Sequence, residues 1–169
     1  MGSTSGRLQG DCLGPLETNA WWYEGPGGLV VFDAPEGLAD RLKGQRVEVL
    51  ILTHGHFDHM WDAARIQREH RCPVWFHEGD ADQCAHPEEV MRWVGLPYRI
   101  EPVKPDRLLV DGERVEVGGR TFRVGHAPGH SPGSVVLYEA EEGWLIGGDV
   151  LFAGGVGRWD LPGGSREML

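Results

Sequence analysis

The sequence predicts a layered α/β domain in which two sheets pack face to face and helices cover them. Three observations carry this reading. Apolar runs of strand length, Val47–Leu52 and Pro73–His77, alternate with amphipathic stretches of helix length, as in layered α/β units. From Asp106 the chain turns to short alternating strands divided by Asp111-Gly112 and Gly118-Gly119, which are hairpin signals. The polar run Thr53-His54-Gly55-His56-Phe57-Asp58-His59 directly follows Val47–Leu52, so it lies at a buried strand's exit, where such folds carry their sites.

The elements follow in order. Residues 1–10 are expected to be a flexible lead, with the domain spanning 11–169; the first six are small and polar. Asn19–Glu24 and Leu29–Asp33 are rich in aromatic and β-branched residues around Gly25-Pro26-Gly27-Gly28, and they predict a hairpin. Glu36–Lys43 predicts a short helix closed by Gly44. Asp58 and His59 open an amphipathic helical stretch, Met60–His70, and Pro73–His77 is the next strand. Pro87–Val94 has Pro at an early position and acids in its first turn, which favours a helix. Pro97–Pro105 reads as a connecting loop. Arg114–Val117 and Thr121–Val124 form one strand pair, and Val135–Tyr138 and Trp144–Ile146 another; Ser165–Leu169 looks like the start of a helix.

Bulk composition excludes several classes. With 169 residues, 40% hydrophobic and 25% charged, the chain suffices for one domain with a real core but not for two. The net charge of -10, from 26 acids against 16 bases, argues against a nucleic-acid partner. Cys12, Cys72 and Cys84 are odd in number and lack CxxC spacing, so neither a disulfide framework nor a thiolate zinc site is indicated. No apolar run approaches membrane-spanning length and no leader is evident, so a soluble cytoplasmic protein acting on a small molecule is expected. A homo-oligomer is compatible with the sequence.

The polar run sets the chemistry. His54 and His56 are two apart, so an extended backbone projects both rings to one side. Three imidazoles and a carboxylate within six residues, at the end of a buried strand, need a partner, and a divalent metal is the commonest one.

His54-x-His56-x-Asp58-His59, then Pro128-Gly129-His130-Ser131-Pro132-Gly133-Ser134 and Gly147-Gly148-Asp149, resemble the signature loops of the metallo-β-lactamase superfamily. The resemblance implies a four-layer αββα sandwich. It also implies a first metal site of His54, His56 and His130, and a second of Asp58 and His59 with Asp149 bridging the two. Two ions about 3.5–4 Å apart would generate hydroxide at neutral pH, and Asp58 would orient it or take its proton. The donor set suits zinc (Zn) first, with Fe or Mn possible. Candidate supporting or substrate residues are Thr53, Asp33, His126, His77 and Arg158. Gly157-Arg158-Trp159-Asp160-Leu161-Pro162-Gly163-Gly164 resembles the segment following the bridging Asp in glyoxalase II-like thioesterases, implying hydrolysis of a glutathione thioester.

Two other readings stay open. His54, His130 and Asp149 would form the two-His-one-carboxylate triad of a single-iron persulfide dioxygenase, or the chain would be a metal-binding module without turnover. A β-lactamase is less favoured, because no β-lactam carboxylate anchor is recognisable. The resemblance further implies one more His ligand in a C-terminal helix and strand, yet no His follows His130. The domain is therefore expected to be C-terminally shortened, with the second metal site the weaker.

Overall fold

The structure, a computed structural model, describes residues 6–95 and 97–169; residues 1–5 of the expected lead fall outside them. Pairing begins with β1 (Gln9–Leu13), slightly earlier than its sequence suggests, because Gln9–Leu13 lies antiparallel against β2 (Thr18–Gly25). β2 turns at Gly25–Gly28 into β3 (Gly28–Phe32), giving the expected hairpin. α1 (Leu38–Arg41) is followed by β4 (Val47–Ile51), parallel to β3.

The expected helix after β4 is divided into α2 (Phe57–Met60) and α3 (Ala63–His70). Asp62 causes the break. Its backbone N–H donates to the Ala34 carbonyl, and its carboxylate accepts from Gly37 N and Ala39 N, both at 2.9 Å. The side chain thus satisfies orphan donors at the start of α1. Burial raises the Asp62 pKa above the carboxylate norm even though those two N–H groups oppose it.

β5 (Val74–His77) lies parallel to β4. A 3-10 turn at Glu78–Asp80 and α4 (Ala81–Ala85), neither foreseen, precede α5 (Pro87–Val94). β6 (Arg107–Leu109) then returns to the first sheet, parallel to β5. The six strands run in the order β1-β2-β3-β4-β5-β6.

β7 (Arg114–Val117), β8 (Arg120–His126), β9 (Val135–Glu139) and β10 (Trp144–Ile146) form a second, antiparallel sheet in the order β10-β9-β8-β7. β11 (Leu151–Phe152) and β12 (Gly155–Val156) make a small unforeseen hairpin. Ser165–Leu169 forms a single turn, with Met168 N and Leu169 N both donating to the Ser165 carbonyl, instead of the expected helix start.

Alternation along the central strands builds two cores. Val30, Phe32, Val49 and Ile51 face the second sheet and meet Phe122, Val124, Val135 and Leu137. Leu29, Val31, Leu50 and Leu52 face α1, α2 and α3 through Leu38, Met60 and Ile66. Tyr23, Phe32 and Phe122 pack with ring centroids 5.4–6.3 Å apart, and burial of each large side chain contributes about 1.5–3 kcal/mol. Among the described residues the helices lie on the six-stranded sheet, giving an α, β, β succession. The outer face of the other sheet exposes Tyr138 and Leu145.

Cys72 and Cys84 are buried and Cys12 is exposed. Burial pushes the Cys72 thiol up to about 11 and raises Cys84 as well. An aromatic disulfide reagent at pH 8 is therefore expected to titrate one thiol per native chain and three after denaturation, since the thiolate is the reactive form. Three fast thiols in the native protein would refute this burial.

No helix among the described residues is long and apolar enough to cross a membrane.

Candidate metal centre

The exit of β4 delivers Thr53, His54 and His56, and α2 delivers Asp58 and His59. The loop between β8 and β9 brings in His130, and the turn after β10, closed by Val150 N to the Gly147 carbonyl at 3.0 Å, aims Asp149. These segments lie up to 95 residues apart in sequence, yet their donor atoms converge.

His56 Nδ1 lies 2.7 Å from His130 Nε2, which lies 3.1 Å from His54 Nε2. All three residues are buried. A second group joins His59 and Asp149 to the edge of His54. Asp149 reaches both groups: Oδ1 is 3.1 Å from His59 Nε2 and Oδ2 is 3.5 Å from His130 Nε2. Asp58 Oδ2 stands 3.5 Å from His59 Nε2 and accepts from the Thr18 hydroxyl at 2.7 Å. The structure thus brings His54, His56, Asp58, His59, His130 and Asp149 together.

The outward-facing ring nitrogens determine which lone pairs point inward. His130 Nδ1 faces the Arg158 carbonyl at 2.7 Å, and His59 Nδ1 faces the Asp33 carboxylate at 2.8 Å. Both partners only accept, so each Nδ1 carries a proton and each Nε2 is the nitrogen turned toward the donor cluster. Thr53 Oγ1 donates to Asp33 and accepts from His54 Nδ1 at 3.0 Å, which frees His54 Nε2 in the same way. His56 turns Nδ1 inward and leaves its Nε2 buried without a partner. Ring nitrogens of His56 and His54 lie 2.7 and 3.1 Å from His130 Nε2, and lone pairs facing one another so closely repel unless a cation sits among them, so this donor set fits a divalent metal.

Protonation follows position. Burial, reinforced by the neighbouring imidazoles, drives His54 well below the usual imidazole range and His56 down to about 3. For His59 burial also opposes charge, but Asp33 and Asp149 outweigh it and raise the group well above its usual value. Burial raises Asp149, yet the hydrogen bond and charge of His59 bring it below the carboxylate norm. His54 and His56 therefore offer neutral imidazoles, while His59 must give up a proton before it can ligate. Metal analysis of the purified chain is expected to find the His54/His56/His130 site fuller than the site of His59, Asp149 and Asp58. Two ions held tightly and equally would contradict that.

Of the supporting candidates, Asp33 and Thr53 bond the outward ring nitrogens of His59 and His54. Asp33 takes a left-handed backbone (φ 61) to do so, a strain of order 1–3 kcal/mol offset by the hydrogen bonds its carboxylate accepts from Thr53 N, the Thr53 hydroxyl and His59 Nδ1. Arg158 acts through its carbonyl and not through its guanidinium, which is paired with Asp160 at 2.8 and 2.6 Å. Gly157 permits this approach, because a Cβ there would collide with the Asp149 carbonyl.

His126 and His77 do not touch the ligands. His126 Nε2 binds the Pro132 carbonyl at 2.9 Å, buttressing the His130 loop, and His77 stacks on His126 with centroids 4.0 Å apart. Their strand ends open on the loop and not on the metal groups.

Sequence reasoning missed Thr18 and Asp80. Both lie in segments with no motif, and a lone hydroxyl or carboxylate carries no signal without its partners.

A cavity of about 250 Å³ opens onto the ligands, lined in part by Leu16, Phe57, Asp58, Val90, Arg158 and Leu161. A second opening of about 330 Å³, edged by Trp21, Leu151 and Phe152, reaches His59 and Asp149 from the other side.

Comparison with known proteins agrees with this geometry. The chain is 38% identical over 146 residues to hydroxyacylglutathione hydrolase GloC of Haemophilus influenzae, covering 80% of this chain and 67% of that one. The crystal structure of TTHA1623 in a di-iron-bound form superimposes with a TM-score of 0.82 at 35% identity, over 95% of this chain and 81% of the other. That of the B3 metallo-beta-lactamase BLEG-1 gives 0.84 at 35% identity, over 96% and 81%. The family profile described as the metallo-beta-lactamase superfamily matches residues 13–169. With its ligand loops, two facing sheets and this match over nearly the whole length, the chain belongs to the metallo-β-lactamase superfamily.

Proposed function

We propose that this chain is a metal-dependent hydrolase of small thioesters, in the manner of glyoxalase II, with a glutathione thioester or a related ester as substrate. The observation that carries the reading is the Asp149 carboxylate, which turns one oxygen to each of two His groups beside a cleft large enough for an acyl group. Metal held there would supply a Lewis acid that acidifies water and polarises a carbonyl. The remaining work falls to the chain's own groups. Asp58, fixed by Thr18 and lining the cleft, takes or orients the proton of the attacking water. Leu16, Phe57, Val90 and Leu161 give the acyl half an apolar wall. No acid is needed at the leaving sulfur, because a thiolate departs readily. The similarity to GloC supports this substrate class.

The likeness to BLEG-1 favours a β-lactam as the second reading. Against it, the guanidinium at the cleft is already neutralised by Asp160, so it provides no free anchor for a β-lactam carboxylate. The likeness to a di-iron protein keeps iron beside zinc as the resident metal.

The test is turnover of S-lactoylglutathione, a β-lactam and glutathione persulfide by protein reconstituted with Zn, Mn or Fe. Thioester hydrolysis ahead of the other two supports the proposal. Oxygen uptake with persulfide on iron would install the dioxygenase instead, and no turnover of any substrate would leave a metal-binding module.

A further inference from the structure

Asp80 is fully buried in the 3-10 turn after β5. Its Oδ2 accepts from Gly55 N at 2.8 Å and from the Ser131 hydroxyl at 2.6 Å, and its Oδ1 accepts from Gly133 N at 2.6 Å. Gly55 lies between His54 and His56, whereas Ser131 follows His130. One carboxylate therefore grips both loops that carry the first set of imidazoles. The packing is built around it: a Cβ on Gly55 would stand 2.8 Å from Asp80 Cβ, and one on Gly133 would stand 2.5 Å from Asp80 N. Ser134 extends the arrangement, its hydroxyl lying 2.7 Å from that of Ser131 and accepting from Ser131 N at 3.1 Å.

We propose that Asp80 is a positioning residue for the first metal site, clamping the His54/His56 loop to the His130 loop and thereby setting the spacing of the three ligand nitrogens. It touches none of those nitrogens and acts through two backbone N–H groups, of Gly55 and Gly133, and the Ser131 hydroxyl. The geometry favours this over a role in bulk stability, since all three donors belong to the ligand-bearing loops. The inference rests on the metal-binding reading above.

The experiment compares wild type, Asp80→Asn and Ser131→Ala. Asparagine keeps the size but can accept through one oxygen only; alanine removes a single donor and leaves both backbone contacts. Co(II) titration reads affinity and ligand-field spectrum, and melting of the metal-free proteins reads stability separately.

Loss of a group that orients metal ligands typically weakens binding 10–100-fold. Asp80→Asn is expected to fall in that range, with a weakened or shifted Co(II) band, and Ser131→Ala to lose severalfold. Wild-type affinity and spectrum in Asp80→Asn, even with a lowered melting temperature, would show a merely structural residue and overturn the proposal. Should Asp80→Asn not fold, an unchanged affinity and spectrum in Ser131→Ala overturns it just as well. If wild type itself bound no metal, the proposed function would fall along with this inference; a wild type that binds beside an unaffected variant refutes the clamp alone.

Discussion

Replacing His56 by alanine is expected to lower thioester kcat/KM at least about 10³-fold with metal in excess, a barrier increase of roughly 4 kcal/mol. Without His56 Nδ1, two imidazoles remain to hold the first ion, and the nitrogen 2.7 Å from His130 is gone. The same substitution should cost the metal-free fold little. His56 Nε2 is buried without a hydrogen-bond partner, and removing an orphaned donor relieves a desolvation penalty that partly offsets the small cavity. Steady-state kinetics and melting of the metal-free protein test both halves. A variant as active as wild type would remove the catalytic claim entirely.

Asp33→Ala should do the reverse, striking the fold first. Asp33 receives Thr53 N at 2.7 Å, the Thr53 hydroxyl at 2.9 Å and His59 Nδ1 at 2.8 Å, all buried. Its removal strands a cationic imidazole and two donors away from water. Deleting one member of a buried pair costs about 3–5 kcal/mol, and in a domain of this size each kcal/mol lowers Tm by roughly 2–4 °C. The metal-free protein is thus expected to melt about 10 °C lower. Asp33→Asn, which retains an acceptor for Thr53, should lose less. Calorimetry showing a shift of under about 2 °C for the alanine variant would mean that water replaces the carboxylate there. The pair of variants separates a residue that holds metal from one that holds the holder.

The contrast also explains what could be read from the residues. Most strands were legible because buried, β-branched and aromatic runs bounded by Gly or Asp turns pack on a pleated surface wherever they occur. The ligand-rich run at 54–59 was legible because polar groups so dense at a buried strand's end have few other uses. Helix continuity was not, since Asp62 stops the helix at Trp61–Asp62 only by reaching Gly37 and Ala39, a contact invisible to local pattern. β11 and β12 were hidden in a glycine-rich run whose turn chemistry overrides propensity.

By itself the sequence determined the layered class and a dense metal-type donor run, and through resemblance it named six candidate ligands. It did so because periodicity and local density of imidazoles are properties of neighbouring residues. Only the tertiary structure decided which ring nitrogen each His turns inward, that Arg158 contributes a carbonyl while its charge goes to Asp160, that His77 and His126 stand apart from the ligands, and that Asp80 ties the ligand loops together. Those outcomes depend on hydrogen bonds between segments distant along the chain, and their partners are chosen by the packing of two sheets.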